Sequence, residues 1–459
     1  MYYDEQVRFL FEADSGFASA VKLLEKLGQR KRLRILHFSH HDTDGIASAF
    51  IMQRLLRHRF GAEVVVKMPI QFRLSEGDLV EALKGKVDFD LLLLTDKGTF
   101  SYYDDFFGKV GNVLIIDHHM LDGRPQKCTV FNPSSERSVP TAASLLCHMI
   151  ATKFGSTSDH DDFVALMGCR GDFALDPVEK TCAEFARPFI ERSMKKFPHF
   201  FKVRLGRPTM YDTVDRRRTA LVNQIVEVVH AGSLAHFYEK DLDIRVSSGP
   251  ELVYNYLMHL AERDVRPADF RNIDDLLGNV PKGNILASVL KRYRSDWDVL
   301  NGRVQSTTFL GELQGVGVYL FFAREVLPMQ VAPFSAILPF VASTQLEPLK
   351  RAFGHKETMI VLFCPKERGI QISMRGGGEY IDCGAICFQL AERLRRLYPG
   401  HDGIEGGGHA SAAECFADKP VPMYSVMQEL ISMIKELTEL GKDDLEKLNF
   451  YIGNSKSGN

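Results

Sequence analysis

"RLRILHFSHHDTDGIASAFIMQRLLRHRF", residues 32–60, joins two periodicities through a turn rich in titratable groups. "RLRILHFS" (32–39) reads as a strand, and "DGIASAFIMQRLLRHRF" (44–60) is helical. Between them stand His40, His41, Asp42 and Asp44. Acids are favoured at a helix N-terminus, so Asp42 and Asp44 read either as caps or as ligands. Taken alone, the stretch supports both.

The same alternation extends outward. "AEVVVKM" (62–68) is a strand, "SEGDLVEALKGK" (75–86) a helix opened by a capping serine, and "FDLLLLTD" (89–96) and "NVLIIDHH" (112–119) are apolar strands without polar alternation. "VPTAASLLCHMIATKFG" (139–155) and "DDFVALMGCRGDF" (161–173) continue as helices, and residues 5–28 carry apolar positions at helical spacing up to Gly28. Strands apolar on both faces, alternating with helices, predict an α/β fold with a doubly wound, mostly parallel sheet. Ligands in such sheets bind at the carboxyl ends of the strands.

Beyond residue 185 the character changes. Helical, basic segments follow (Arg187, Arg192, Lys195, Lys196, Lys202, Arg204, Arg207, Arg216, Arg217, Arg218), and 220–300 is mostly helical. That basic run reads equally as a solvated helix face or as an extension of a binding groove. Strand signal returns from about 303 with "VQSTTFL", "VGVYLFFA", "TMIVLFC" and "GIQISMR", and "MYSVMQELISMIKELTEL" (423–440) is an amphipathic helix. The expected organisation is 1–185, an α/β domain with its N-terminal helix; 186–302, a mainly helical connection; 303–420, a smaller α/β domain; and 421–459, a terminal helix and tail. At 459 residues the chain is too long for one ordinary core.

A formal net charge of −2 excludes a molecule that is basic overall, so nucleic-acid binding would need a local groove. Eight cysteines without CxxC pairing, several inside apolar runs, predict reduced thiols in a cytoplasmic protein. No signal peptide and no membrane span are read.

Four places put acids or imidazoles at a strand end or beside a helix: His40, Asp42 and Asp44; Asp96 after "LLLLT"; Asp117, His118 and His119 after "LII"; and Asp172 in "MGCRGDF". Asp96 alone reads as a turn residue, "DHH" as a polar strand end, Asp172 as a loop acid. In a parallel sheet the strand ends share one edge, so the four can converge, and converged they would repel one another without cations. Asp/His ligation without thiolate suits Mn²⁺ or Mg²⁺ better than structural zinc. Asp96, alone at the central strand end, is the natural bridge between two ions, which such sites hold roughly 3.5–4 Å apart.

In this order, "SHHDTDG", "TDKG", "IIDHH" and "MGCRGD" resemble the motifs of the DHH phosphoesterase superfamily, and "IQISMR" with "IEGGGHASAAECF" resembles the signature of the DHH-associated C-terminal domain. The resemblance frames roughly residues 32–175 and 303–420; "HxDxDG" looks more like the RecJ-like and archaeal branch than like nanoRNases. It implies two divalent ions, usually manganese, held by Asp42, Asp44, Asp96, His118, Asp172 and, with more variable spacing in the family, His40. It implies catalytic roles for Asp96 and for His119, which would face the substrate phosphate, with Asp117 in support; His37 and His41 match no role in it and read as structural histidines. For the second domain it implies substrate binding by Arg375, Gly406, Gly407, Gly408 and His409. Glu414 and Cys415 stand where the family usually has an alanine run ending in glycine.

The expected activity is a manganese-dependent, two-ion phosphodiesterase acting on single-stranded nucleic acid or short oligonucleotides. A homodimer is allowed, and no membrane partner is expected. The alternatives are a hydrolase of cyclic dinucleotides or other small phosphoesters, and a replication scaffold without catalysis.

Overall fold

The structure, a computed structural model, describes residues 2–69, 71–84, 88–121, 123–134, 139–278, 282–304, 308–313, 315–322, 331–366, 369–378, 380–401, 403–417, 419 and 421–439. The chain divides into two units. The first is Met1–Thr209 with Arg216–Arg292, and the second is Met210–Asp215 with Tyr293–Asn459.

The first unit opens with α1 (Tyr3–Ala13) and α2 (Ser15–Leu27), where the sequence reads as one helix. Asp14 breaks it: its backbone is extended and its carboxylate accepts from the Phe17 amide at 2.7 Å, capping α2. The sheet comprises β1 (Arg34–Ser39), β2 (Glu63–Lys67), β3 (Leu91–Thr95), β4 (Val113–Ile116) and β5 (Thr129–Phe131), all parallel, in the order β2-β1-β3-β4-β5. The expected doubly wound sheet is therefore present, with one strand, β5, that the pattern did not signal. Between and after the strands run α3 (Thr43–Phe60), α4 (Glu76–Leu83), α5 (Asp104–Val110), α6 (Ala143–Lys153) and α7 (Asp159–Gly171).

Leu91 to Leu94 and Leu114 to Ile116 are fully buried, as strands covered on both faces must be. Each such side chain contributes roughly 1.5–3 kcal/mol of transfer free energy. Leu36, Phe38, Leu92, Leu94, Val113 and Ile115 pack with Leu79, Tyr103 and Phe106 on one face. On the other, buried His37 bonds the Thr95 hydroxyl at 2.8 Å.

Beyond α7 come the short hairpins β6 (Leu175–Asp176) with β7 (Thr181–Cys182) and β8 (Arg204–Leu205) with β9 (Arg218–Thr219). The helices are α8 (Arg187–Lys196), α9 (Leu221–Ser233), α10 (Glu239–Leu242), α11 (Gly249–Glu262), α12 (Ile273–Leu277) and α13 (Gly283–Val304). Residues 221–262 are not a free connection: α9 packs on α3 and α7, and α11 on α3. Part of the basic run is consumed internally. Tyr3 bonds His148 at 2.7 Å, His148 bonds Asp162 at 2.8 Å, and Arg192 and Lys196 both pair with that same carboxylate.

The second unit is built on a mixed sheet. Its strands are β10 (Thr308–Leu313), β11 (Val316–Phe322), β12 (Glu357–Lys366), β13 (Gly369–Arg375), β14 (Ile404–Gly408) and β15 (Ala412–Ala417), ordered β10-β11-β12-β13-β15-β14. Its helices are α14 (Val331–Ser343), α15 (Leu346–Phe353), α16 (Cys383–Leu397) and α17 (Met423–Glu439). Val318, Leu320, Met359, Val361, Ile372 and Met374 point to one face and pack with Cys387 and Leu390 of α16 and Leu430 of α17. The expected tail beyond 439 lies outside the described residues. All eight cysteines are free, and no helix among the described residues is long and apolar enough to cross a membrane.

"GGG" (406–408) lies in β14 and admits close contact with α16. A Cβ on Gly406 would sit 2.0 Å from the Cys387 carbonyl oxygen. Gly407 and Gly408 have φ of 154° and 137°, which side chains rarely adopt. Gly406→Ala should therefore destabilise the protein by about 1–3 kcal/mol through overpacking. Chemical denaturation checks this, and an unchanged midpoint would show that α16 yields freely.

Candidate metal centre

The strand order reverses around β1: the chain steps from β1 out to β2, then crosses to β3 on the other side. That switch point leaves a crevice at the carboxyl ends of β1 and β3, where doubly wound sheets hold ligands. His40 and Asp42 follow β1, Asp96 follows β3, and Asp117 to His119 follow β4. Asp172 arrives from the C-cap of α7.

The turn after β1 is tight. Asp42 caps α3, its carboxylate accepting from the Gly45 amide at 2.8 Å. Any Cβ at Gly45 would lie 2.3 Å from the His40 carbonyl oxygen, so the turn requires glycine there. Asp44 caps a different helix. Its two oxygens accept from the amides of Ala143 and Ser144, at 2.6 and 3.0 Å, at the start of α6. The two readings of these acids thus coexist: both cap, and both lie in groups able to hold an ion.

Asp96 is the centre of the arrangement. It is 1% exposed and held at φ 56°, a left-handed conformation that Asp tolerates better than most residues. Its Oδ2 lies 3.4 Å from His40 Nδ1, which is 3.1 Å from Asp42 Oδ2. Its Oδ1 lies 3.4 Å from His118 Nε2, which is 2.8 Å from Asp172 Oδ2 and 3.8 Å from Asp44 Oδ2. One carboxylate therefore faces two donor sets: His40 and Asp42 on one side, and His118, Asp44 and Asp172 on the other. Neither of its buried oxygens receives a hydrogen bond. Buried carboxylate oxygens are normally satisfied, so a pair left this way fits a cation site.

His119 Nδ1 sits 2.9 Å from Asp117 Oδ1 and 3.6 Å from Asp96 Oδ1. A carboxylate can only accept, so Nδ1 carries the proton. Asp117 is in turn fixed by Thr99 at 2.9 Å and Asn132 at 3.1 Å. It supports the imidazole from behind, as carboxylates do for ligand histidines.

The charges show what the cluster lacks. Burial pushes the Asp44 carboxyl well up, and the neighbouring Asp172 and Asp96 add to it. Burial likewise lifts Asp172 to about 6, with His118 working against it. Burial opposes protonation of His40, yet Asp42 and Asp96 outweigh it and raise this imidazole to about 10. His118 is raised well above the ordinary range, Asp172 and Asp96 overriding its desolvation. The donor set, carboxylates and imidazoles with no thiol, suits a hard or borderline divalent ion.

The structure brings together all six residues expected as ligands, with His119 and Asp117 beside them. The substrate residues expected in the second unit are placed as follows. His409 follows β14 in a turn closed by its amide to the Ala412 carbonyl at 2.7 Å. Gly406 to Gly408 lie in β14, an edge of the sheet among the described strands. Arg375 is 8% exposed, and its Nη1 donates to the Met374 and Ala413 carbonyls at 2.8 and 3.3 Å. One nitrogen of the guanidinium, Nη1, is thus engaged by backbone, while Nη2 lies 3.7 Å from a Glu414 carboxylate oxygen.

Sequence reasoning missed Phe72 and Lys97. Phe72 lies edge-on to His40 and His119, with ring centroids 5.2 and 4.8 Å away. The fully buried Lys97 donates to the Gln71 carbonyl and so holds the Phe72 turn. "TDKG" displayed the lysine, but nothing in its spacing tied it to a turn 26 residues upstream.

Residues 34–167 match the model of the DHH family, N-terminal domain. No curated protein matches the chain. Among solved structures it is similar to an exonuclease RecJ bound to manganese, with 16% identity, TM-score 0.53, and 94% of this chain and 96% of that one covered. It is also similar to the DHH domain of a protein described as a member of a family of ribosomal proteins (14%, 0.60, 91% and 90%). RecJ from Thermus thermophilus in complex with Mn²⁺ gives 16% and 0.55, with 92% of this chain covered but 55% of that one, so the chain spans just over half its length. At these identities the likeness is one of fold. Together with the acids and imidazoles gathered at the strand ends, the family match makes residues 34–167 similar to the DHH N-terminal domain, and the fold is consistent with that superfamily.

Proposed function

We propose that this chain is a divalent-metal phosphoesterase that hydrolyses phosphodiester bonds in single-stranded nucleic acid or short oligonucleotides. The observation carrying this reading is Asp96, whose two oxygens, free of hydrogen bonds, face two separate donor sets. His40, Asp42 and Asp96 would hold one ion, and Asp96, Asp44, His118 and Asp172 the other; the ions would be Mn²⁺, with Mg²⁺ as substitute. Ions bound there supply the Lewis acidity that activates water and neutralises phosphoryl charge.

The chain's own residues have distinct tasks. Asp42 and Asp44 tie the donor sets to the starts of α3 and α6, which fixes them before substrate arrives. His119, steadied by Asp117, presents its imidazole to a phosphoryl oxygen. In the second unit, His409 and the backbone of Gly406 to Gly408 are the proposed nucleotide contacts. Arg375 is the third proposed contact, its Nη1 held by backbone carbonyls while Nη2 is the nitrogen left to reach a phosphate. The RecJ structures support the substrate class, since a RecJ is described as an exonuclease and bound to manganese.

The test is a panel with Mn²⁺: a 5′-labelled single strand, a dinucleotide and a cyclic dinucleotide, each repeated with EDTA. Mononucleotides should appear from the first two and vanish with chelator. Cleavage of the cyclic dinucleotide alone would move the substrate to small phosphodiesters. If all three survive, the hydrolase reading is lost and the scaffold alternative takes its place.

A further inference from the structure

The basic run splits in two. Arg192 and Lys196 are spent on Asp162 inside the first unit. The remainder, Lys202 to Arg218, folds back on itself through the β8–β9 hairpin. Its register sets Arg204 opposite Thr219 and Leu205 opposite Arg218, and the Gly206 amide donates to the Arg217 carbonyl at 3.2 Å. Residues 202–218 hold six lysines and arginines against two aspartates, in a chain whose net charge is −2. Asp212, one of the two, is buried. Lys202, Arg204, Arg207, Arg217 and Arg218 are exposed, and exposed Arg271 adjoins them, its carbonyl accepting from Arg204 Nη2 at 3.4 Å.

Among the described residues, Lys202, Arg204 and Arg218 have no carboxylate partner. A solvated face interleaves both signs of charge, whereas a stretch of one sign builds a positive potential that draws in polyanions. Leu205, 83% exposed on the same ribbon, offers an apolar contact that sugars and bases accept and a simple anion would not use. The foot of the hairpin is tied to the helix that ends in the metal centre. β9 stops at Thr219, Ala220 precedes α9, and Asn223 in the first turn of α9 accepts from Arg170 Nε at 2.6 Å. Arg170 stands two residues before Asp172, whose carboxylate lies 2.8 Å from His118. Extended backbone covers at most about 3.6 Å per residue, so with the Arg170–Asn223 pair between the two stretches Thr219 lies within roughly 30 Å of Asp172. A single strand of about ten nucleotides covers that span at about 3.4 Å per phosphate.

We propose that the β8–β9 hairpin is a docking ribbon for the phosphodiester backbone of single-stranded nucleic acid, holding the part of a long strand that is not at the metal centre. This rests on the phosphoesterase reading above and deepens it, because it gives the chain a preference for long strands over dinucleotides. A dinucleotide has one phosphodiester, and the ions take it, so the ribbon has nothing to hold. Contacts to phosphate carry no sequence information, so the preference is for length and not for base.

The experiment compares wild type with the double variant Arg204→Gln, Arg218→Gln on a 5′-labelled strand of about 20 nucleotides and on a dinucleotide, with Mn²⁺ over a range of salt. Each phosphate contact to a single strand adds about 0.7 to the slope of log affinity against log salt. The double variant should therefore flatten the long-strand slope by roughly 1.4 and raise KM roughly 25-fold at about 0.1 M salt. Turnover of the dinucleotide should not move, which also serves as the folding control. Arg204→Lys with Arg218→Lys should keep the wild-type slope, because charge is what the backbone reads. An unchanged slope, or an equal loss on both substrates at a normal melting temperature, would overturn the assignment. If the double variant melts lower, Lys202→Gln, outside the paired positions, replaces it and should flatten the slope by roughly 0.7. If wild type cleaves neither substrate, the phosphoesterase reading fails by itself, and fluorescence anisotropy of the labelled strand decides the role of the hairpin. Equal binding by wild type and double variant would end the proposal. So would a loss seen only on vesicles of phosphatidylserine and phosphatidylcholine, which would make the ribbon a membrane contact.

Discussion

Asp96→Asn should remain folded and lose hydrolysis by about a thousandfold or more, the scale expected when a group that organises transition-state charge is removed. The substitution is close to isosteric at a position with 1% exposure, so no cavity opens. Asn tolerates the left-handed backbone that Asp96 occupies, which removes strain as a confounding cause. What changes is charge and donor character. An amide offers one neutral oxygen and a nitrogen that cannot ligate, so the two donor sets lose the group that faces both. Stability of the metal-free protein should change little, because Asp44 is freed of an acid that repels it while His40 and His118 lose one that attracts them. Circular dichroism and a melting curve give the folding control, and the labelled single strand gives the rate. Turnover near wild type would refute the bridge.

The second large effect is on stability. Added Mn²⁺ should raise the melting temperature, and EDTA should reverse the gain. An ion bound only by the folded state stabilises it by about 4 kcal/mol at a thousandfold excess over Kd. For a unit of this size that corresponds to roughly 8 °C. The direction follows from the cluster, in which Asp44 and Asp172 are driven towards protonation by burial and by neighbouring acids. Asp96→Asn should lose most of the gain while keeping its metal-free melting temperature. Calorimetry with and without Mn²⁺ decides it, and no shift in wild type would mean that the acids are not an ion site.

Much of this is legible in the sequence, for identifiable reasons. Strands buried on both faces leave a continuous apolar run, and "LLLLT" and "VLII" could hardly be anything else. The acids that end those runs are readable because a parallel sheet aligns its strand ends. Other features depend on contacts that no local pattern encodes. Asp14 looks like one more helical position, yet its side chain prefers the Phe17 amide and splits the helix. The basic run from Arg187 looks solvated or groove-forming, but Arg192 and Lys196 turn inward to Asp162. "GGGH" is expected to bind substrate, yet Gly406 lies in a strand pressed against a carbonyl of α16. Arg170 is fully buried because Asn223, 53 residues away, receives it, a pairing that no local pattern displays.

The parallel ladder runs one rung beyond the strands. The His40 amide donates to the Thr95 carbonyl at 3.2 Å, Asp96 to Ile116 at 3.0 Å, and Asp117 to Phe131 at 3.1 Å. The first residue after β1, β3 and β4 is thus clamped to the last residue of the neighbouring strand. Side chains alternate faces along a strand, so inserting a single residue before Asp96 would turn it to the opposite side of the sheet. A longer crossover would leave these residues in place, whereas a longer strand would move them. The same ladder dictates when the centre comes into being. Parallel pairing needs long crossovers to close, which is a late event in folding. A collapsed chain with its helices formed but β1, β3 and β4 unzipped holds every ligand residue and no coordination geometry. An ion held by these residues would then be held only by a chain whose sheet is complete.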